Sequence, residues 1–240
     1  MGTRHLLLAG GTGLIGRALL DHLLLTDWAG YIVLPVRQPQ QWCAAYPQLA
    51  ADKRIQVLTY DELFASQQPV DLMFCALGTT QAKAGKAGLR QVDYQLVVDC
   101  ASWAKQQGAE LVSVVSALGA NRRSPFFYNR VKGDMEQALE QMNLPRLQIW
   151  QPSLLLGERN EFRLAEHLSG WILRLPLFGN VQALAGERIA RAMIAAASVS
   201  ESGSGPESSV MRYRVRDIKR LARAWAGLGR QQNFIILHHK

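Results

Sequence analysis

The chain has 240 residues, 48% hydrophobic and 19% charged, with a formal net charge of +8. That length supports one substantial core, or a core with a small lobe, and the composition is that of an ordinary globular protein. No run reaches the roughly 18 uninterrupted apolar residues of a membrane helix, and three cysteines without CxxC spacing (Cys43, Cys75, Cys100) exclude a disulfide scaffold or a zinc site.

The start, M-G-T-R-H-L-L-L-A-G-G, has an apolar stretch too short and too quickly followed by glycines to be a signal peptide. Leu6 stands where a myristoylation signal needs Ser or Thr. Strand patterns follow at His5–Ala9, Tyr31–Val36, Ile55–Thr59, Val70–Ala76, Leu111–Ser116 and Leu147–Gln151. They are short and almost continuously apolar, as parallel strands covered on both faces are. Helical spacing recurs between them, in Leu14, Ala18, Leu19 and Leu23, in Leu96, Val97, Cys100 and Ala104, and in Val131, Met135, Ala138, Leu139 and Met142. This alternation predicts an α/β fold, a Rossmann-type doubly wound parallel sheet of order 3-2-1-4-5-6. Residues 1–156 form the expected nucleotide-binding core, and residues 157–240 a small C-terminal lobe that completes the same domain. Within the lobe, Phe162–Arg174 and Ile189–Val199 read as helices and Ser200–Ser209 as a solvent loop. Ser209–Val215 reads as one more strand, followed by a helix with Asp217 as its N-cap. The tail 231–240 fits an edge strand, a dimer contact or a disordered end equally well.

Gly10, Gly13 and Gly16 make G-x-x-G-x-x-G between the first strand and the first helix. Glycine permits the tight turn, lets backbone approach a pyrophosphate, and lets helix and strand pack closely. The helix N-terminus offers unpaired N–H groups to phosphates. Gly10, Thr12, Gly13, Leu14, Ile15 and Gly16 are therefore the expected phosphate-side contacts, with Thr12 bonding there or capping the turn. A sequence triplet of this kind gains specificity from the strand before it and the helix after it. After the second strand, where an NAD site carries Asp or Glu for the ribose 2′-hydroxyl, this chain has Arg37. An arginine fork suits a 2′-phosphate, so NADP(H) is expected over NAD(H). The alternative is a solvated loop arginine. Leu77 and Gly78, past the fourth strand, are expected beneath the cofactor. Asp61 is placed to reach the adenine amino group or to cap the helix Glu62–Ser66.

Tyr128 and Lys132 lie four apart in a helical stretch and so share one face. A cation beside a phenol favours the phenolate and is expected to lower its pKa. Tyrosine then serves as general acid for a carbonyl or general base for an alcohol. Ser116 closes the fifth strand, at the edge where such sheets display ligand-binding residues. Ser113, inside the strand, is the structural alternative, and Tyr94 is a rival phenol without a lysine at helical spacing. A bare YxxxK also occurs by chance on surfaces.

G-G-T-G-L-I-G, C-A-L-G-T-T-Q-A-K-A-G, R-Q-V-D-Y, S-A-L-G-A-N, S-P-F-F-Y-N-R-V-K-G-D-M-E and Q-P-S-L-L-L-G-E-R together resemble the short-chain dehydrogenase/reductase superfamily. More narrowly they resemble its atypical branch, that of the Tat-interacting oxidoreductase-like protein and its bacterial homologues, over roughly residues 4–220. The resemblance implies an NADPH-binding Rossmann domain with Ser116, Tyr128 and Lys132 as catalytic residues. It also implies that Thr79 lies near the cofactor, that Pro152 and the loop Ser153, Leu154 and Leu155 face the nicotinamide, and that Lys132 bonds the nicotinamide ribose. Asp93 stands where many relatives of the superfamily carry a catalytic asparagine. The activity implied is hydride exchange with a small or medium carbonyl or alcohol. A cofactor-sensing regulatory protein and a nucleotide-sugar epimerase are the alternatives, and the short lobe argues against a large glycosyl-nucleotide.

The excess charge lies in residues 121–240, with 18 Lys/Arg against 10 Asp/Glu. It is densest in R-Y-R-V-R-D-I-K-R-L-A-R, Arg212–Arg223, read as a solvated strand and helix face with Tyr213 and Val215 inward and one or two arginines facing an anionic substrate. No nucleic-acid module accompanies it. The expected partner is a small-molecule substrate, with no nucleic acid, no membrane and no metal, in a monomer or homodimer. The sparse thiols predict a reducing compartment, the cytoplasm.

Overall fold

The computed structural model describes residues 3–152, 186–199 and 209–225. Its frame is a seven-stranded sheet, all parallel, in the order β3-β2-β1-β4-β5-β6-β7. The expected order 3-2-1-4-5-6 holds, extended by one strand. In the first half β1 (Arg4–Ala9), β2 (Ala29–Pro35) and β3 (Ile55–Leu58) alternate with α1 (Leu14–Leu24), the short α2 (Pro39–Ala45) and α3 (Pro47–Ala50). In the second half α4 (Tyr60–Ala65) leads to β4 (Leu72–Cys75), α5 (Gln81–Arg90), a π-helical turn (Gln91–Gln95) and α6 (Leu96–Gln106). Then come β5 (Leu111–Val115), α7 (Phe127–Gln141), β6 (Arg146–Gln151), α8 (Gly186–Val199) and β7 (Ser209–Arg214).

Strand side chains point alternately to the two faces, and both faces are apolar here. Leu6, Leu8, Ile32, Leu34, Phe74 and Trp150 face α1 and α8 in one core. Leu7, Val33, Met73, Val112, Leu147 and Ile149 face α6 and α7 in the other. Each fully buried large aliphatic side chain contributes about 1.5–3 kcal/mol relative to exposure, so two-sided burial fixes the central strands firmly. α7 presents Val131, Met135 and Leu139 to the sheet at helical spacing. The strand order reverses between β1 and β4, the switch point where such sheets open a crevice at their carboxyl ends.

β7 pairs with β6 along six residues, Arg146↔Ser209 to Gln151↔Arg214. Its burial alternates, with Arg212 and Arg214 outward. Tyr213 turns inward and stacks on buried Trp150, the ring centroids 4.1 Å apart. The next helix occupies residues 215–225 and starts before Asp217. Asp217 is therefore not the N-cap; it lies in the first turn and its carboxylate accepts from the Arg214 N–H at 3.1 Å. The cap reading of Asp61 is corrected in the same way. Thr59 is the N-cap of α4, in a reciprocal box with Glu62, because a threonine hydroxyl one residue before the turn reaches the N3 amide. Asp61 is an exposed first-turn residue. The helix expected at Phe162–Arg174, most of the Ser200–Ser209 loop and the 231–240 tail lie outside the described residues.

Candidate active and cofactor site

The glycine turn sits at the carboxyl end of β1, beside the switch point. Gly10 has φ +85°, and a Cβ there would stand 2.6 Å from the carbonyl carbon of Ala76. A Cβ on Gly16 would meet the Gly10 carbonyl oxygen at 2.1 Å. These two glycines are demanded by the fold. Gly13 is different: its Cβ would find nothing nearer than 3.5 Å. Gly13 is exposed and is the N-cap residue of α1, whose first turn carries no acidic side chain. A free space above an uncompensated helix N-terminus is what an anionic ligand requires. Thr12 and Leu14 are exposed beside it, while Ile15 is buried.

Basic and phenolic groups surround the turn. Arg37 is exposed just past β2. Tyr60, which sequence reasoning did not single out, reaches the turn from α4. Burial pushes its phenol well up, against a backbone hydrogen bond with Gly10 and the nearby Arg37. Arg17 lies 4.0 Å over the Tyr46 ring, and among the described residues its buried Nε has no hydrogen-bond partner. The open Gly13 position, the helix terminus and these cations fit a dinucleotide. Gly10, Thr12, Gly13, Leu14 and Gly16 would hold its phosphates and Arg37 its adenosine end.

The Tyr128/Lys132 pair lies on α7. Lys132 is 2% exposed, and its Nζ donates to the Val115 carbonyl at 3.3 Å, at the end of β5. Its ammonium is 2.9 Å from Oδ1 of Asp93, which is fully buried. Oδ2 of Asp93 accepts from the Thr79 N–H at 2.7 Å. Asp93 is carried by the π turn, a helical irregularity often found at functional positions. It packs against the end of β4, where a Cβ on Gly78 would meet its Oδ1 at 3.5 Å. Tyr128 is half-buried one helical turn before Lys132. The expected lowering of its pKa is corrected. Burial and the Asp93 carboxylate push the phenol up, and Lys132 only partly offsets them. Burial pulls Lys132 down, but Asp93 and Tyr128 more than compensate and hold its ammonium above its ordinary range.

Ser116 is buried at the end of β5, and its hydroxyl donates to the buried Glu136 carboxylate. Glu136 also accepts from Gln151 Nε2 at 3.0 and 3.1 Å. Arg212 Nε lies 3.8 Å from Glu136, and its other end pairs with Glu140. Glu136 and Glu140 border a polar cleft of about 370 Å³, lined also by Asn121, Arg122, Gln151, Arg212 and Arg214. Two arginines of β7 thus face a cleft, one of them already paired. Glu136 was missed by sequence reasoning, although it follows Lys132 by four residues and so shares its face. Ser113 is structural: its hydroxyl accepts from Trp150 Nε1 at 2.8 Å and donates to Gln148 at 3.1 Å.

Gly133 was also missed. A Cβ there would meet the Arg122 amide nitrogen at 2.5 Å, so this glycine lets the loop after β5 lie directly on α7. Asn129 holds the same loop through Gly119 and Asn121. Leu77 and Thr79 are half-buried and Gly78 exposed past β4. The Pro152 carbonyl accepts from Leu118 N–H at 2.9 Å. Ser153, Leu154 and Leu155 lie outside the described residues. Among those residues no His, Cys, Asp and Glu cluster could hold a metal, and no helix is long and apolar enough to cross a membrane.

No protein-family model matches the chain. It is 33% identical over 168 residues to the protein FMP52, mitochondrial, of Lodderomyces elongisporus, covering 66% of this chain and 70% of that one. It is 30% identical over 169 residues to HTATIP2 of Rattus norvegicus, covering 70% of each. Among solved structures it resembles a short-chain dehydrogenase/reductase of Brucella melitensis (TM-score 0.64, 18% identity, 89% of this chain and 96% of that one). It also resembles UDP-glucuronic acid 4-epimerase of Bacillus cereus with UDP-glucuronic acid and NAD bound (TM-score 0.63, 15% identity, 88% and 77%). The cytoplasmic expectation is corrected by these relatives, since the FMP52 proteins are named as mitochondrial. Free thiols report reducing surroundings, which is not enough to specify one compartment. With the relatives' identity and coverage added to the sheet order and the glycine turn, the chain belongs to the family of short-chain dehydrogenase/reductase-like and epimerase-like NAD(P)-binding oxidoreductases that includes FMP52 and HTATIP2.

Proposed function

We propose that this protein reduces a small or medium carbonyl with NADP(H). The observation that carries the reading is the Lys132 ammonium at the carboxyl end of β5, with Tyr128 one helical turn away on the same helix. NADPH, when bound, would supply hydride to the carbonyl carbon. Tyr128 would give its hydroxyl proton to the carbonyl oxygen, and the resulting tyrosinate would take a proton from solvent. Lys132 orients the ribose and Ser116 the substrate oxygen. Arg37 selects the 2′-phosphate through its fork of donors. Pro152 would lie on the nicotinamide side.

Tyr128→Phe tests this reading. It is expected to keep NADPH affinity and to lose at least about a hundredfold in kcat, the scale of a general acid. Unchanged turnover removes Tyr128 from the mechanism. Arg37→Ala is expected to weaken NADPH binding in a fluorescence titration and to leave NADH binding nearly unchanged; equal losses overturn the NADP(H) preference. A second reading, an NADPH-dependent regulator with little turnover, is favoured by one feature. Both Ser116 and Lys132 already have carboxylate partners, Glu136 and Asp93. A broad carbonyl and alcohol screen without hydride transfer, beside a partner captured only with NADPH, supports that reading. An epimerase keeps its cofactor bound through a cycle, so stoichiometric NADPH consumption with an alcohol product rules it out.

A further inference from the structure

Asp93 is the least expected group in the site. An aspartate that is fully buried would be costly as an isolated charge. It is accommodated by two contacts, the Lys132 ammonium at 2.9 Å and the Thr79 amide at 2.7 Å. The Thr79 bond ties the end of β4 to the π turn. The Lys132 ion pair ties the π turn to α7. Three elements that meet at the carboxyl edge of the sheet are therefore joined through one carboxylate.

The chemical consequence concerns charge. A lysine beside a tyrosine activates it as a base by favouring the phenolate. Here the ammonium faces a carboxylate at contact distance in a buried site, so its field at Tyr128 is opposed by that of the carboxylate. The groups acting on the Tyr128 phenol are Lys132 from its own helix and Asp93 from the π turn. Lys132 is faced by Asp93, by Tyr128 and, from β4, by the Cys75 thiol. Other charges on the packed elements are engaged elsewhere: Arg90 of α5 pairs with Asp134, and Glu136 takes Ser116 and Gln151.

We propose that Asp93 is a positioning residue that holds the Lys132 ammonium at the end of β5 and offsets its charge, keeping Tyr128 in the proton-donating form. The proposal rests on the assignment of Tyr128 as the proton donor. Below the range where a phenol ionises, the acid form is almost fully present, and the base form falls tenfold for each unit the phenol is raised.

The test reads Tyr128 directly, without substrate, in the full-length protein. Tyrosine carrying ¹³C at Cζ is titrated by NMR, and Tyr128→Phe identifies the resonance. Asp93→Asn keeps an acceptor for the Thr79 amide and removes the negative charge. Its Tyr128 is expected to titrate about one unit or more below wild type, the scale of an uncancelled neighbouring charge. The variant that is also Lys132→Gln has neither charge and no buried ion left alone. Its Tyr128 is expected within about half a unit of wild type, as a double-mutant cycle requires of two cancelling charges. An Asp93→Asn titration indistinguishable from wild type overturns the proposal. If Asp93→Asn does not fold, the doubly neutral variant decides alone: a Tyr128 raised by a unit or more shows that Lys132 was acting uncancelled, and overturns it. These readings are independent of turnover. A lowered Tyr128 in Asp93→Asn together with full turnover in Tyr128→Phe leaves the electrostatic cancellation standing, but overturns the proposed function and with it the role of Tyr128 as proton donor.

Discussion

Gly13 and Gly16 belong to one motif and do different work. A methyl at Gly16 would collide with backbone at 2.1 Å, whereas at Gly13 it has ordinary contact distances. Gly16→Ala is expected to disrupt the turn and cost several kcal/mol, as a backbone clash in a close-packed site does. Gly13→Ala is expected to leave stability within about 0.5 kcal/mol, as surface substitutions do, and to weaken NADPH binding about tenfold or more, because the space it fills is the phosphate's. Urea unfolding and a cofactor titration on both variants separate the two roles; a Gly13→Ala protein that binds normally removes the turn from the phosphate site. Asp93→Ala is a different kind of change. It leaves the Lys132 ammonium buried without its partner and is expected to destabilise the fold by about 3–5 kcal/mol, measured by urea unfolding. At this scale the sequence singled out Tyr128, Lys132 and Gly10 through spacing together with the strands and helices around them. It did not yield Tyr60 or Glu136, because a lone Tyr or Glu carries no pattern; their roles come from burial and from partners on other elements.

Elements were legible where apolar period and turn chemistry agreed. The six core strands and α1, α6 and α7 lie where the pattern put them, the strand ends differing by one or two residues and α7 starting a turn earlier than its apolar pattern. The caps were less legible, since Thr59 and not Asp61 opens α4. A cap is decided by which side chain reaches an orphan amide, and several candidates crowd each helix start. The seventh strand has its own prediction. Its inward side chain Tyr213 stacks on Trp150. Tyr213→Ala is expected to cost about 2 kcal/mol through lost burial and stacking. The loss should appear as faster amide exchange in β7 than in β5, because an edge strand opens locally before the core does. Equal protection in both strands of the variant would show that the stack does not hold the edge.

For the whole molecule, pH dependence follows from the buried groups. Tyr60 and Cys100 are pushed well up by burial, and Cys75 is pushed up to about 11. These acids stay protonated in the fold but ionise in the unfolded chain from about pH 8.5 upward. The unfolded state then binds fewer protons, so stability is full below that range and falls as pH rises through it. Asp52 and Glu187 act at the other end. Hydrogen bonds and ion pairs with Arg54 lower Asp52, against a smaller cost of burial. For Glu187 burial raises the pKa, but His22 and Arg191 outweigh it and lower it. Their contribution is present above the ordinary carboxylate range and is lost as pH falls through the lowered folded values. Urea midpoints across pH 3–11 should therefore peak between about pH 5 and 8; stability that rises steadily to pH 10 would contradict this. The net charge of +8 predicts weak, salt-sensitive attraction to polyanions. Sub-micromolar, sequence-preferring DNA binding near 0.15 M salt would contradict the expectation of no nucleic-acid partner. The sequence by itself determined the alternation of strand and helix and the glycine turn, because short apolar runs, period-3.6 burial and glycine's freedom act locally, and that alternation implied the sheet order. Only the tertiary structure decided that Lys132 faces a carboxylate, that Ser116 donates to Glu136 and that Tyr128 is raised rather than lowered. Those outcomes depend on which groups are buried and which distant charges meet there, and burial, with a carboxylate from another element, reverses what neighbouring residues on one helix imply.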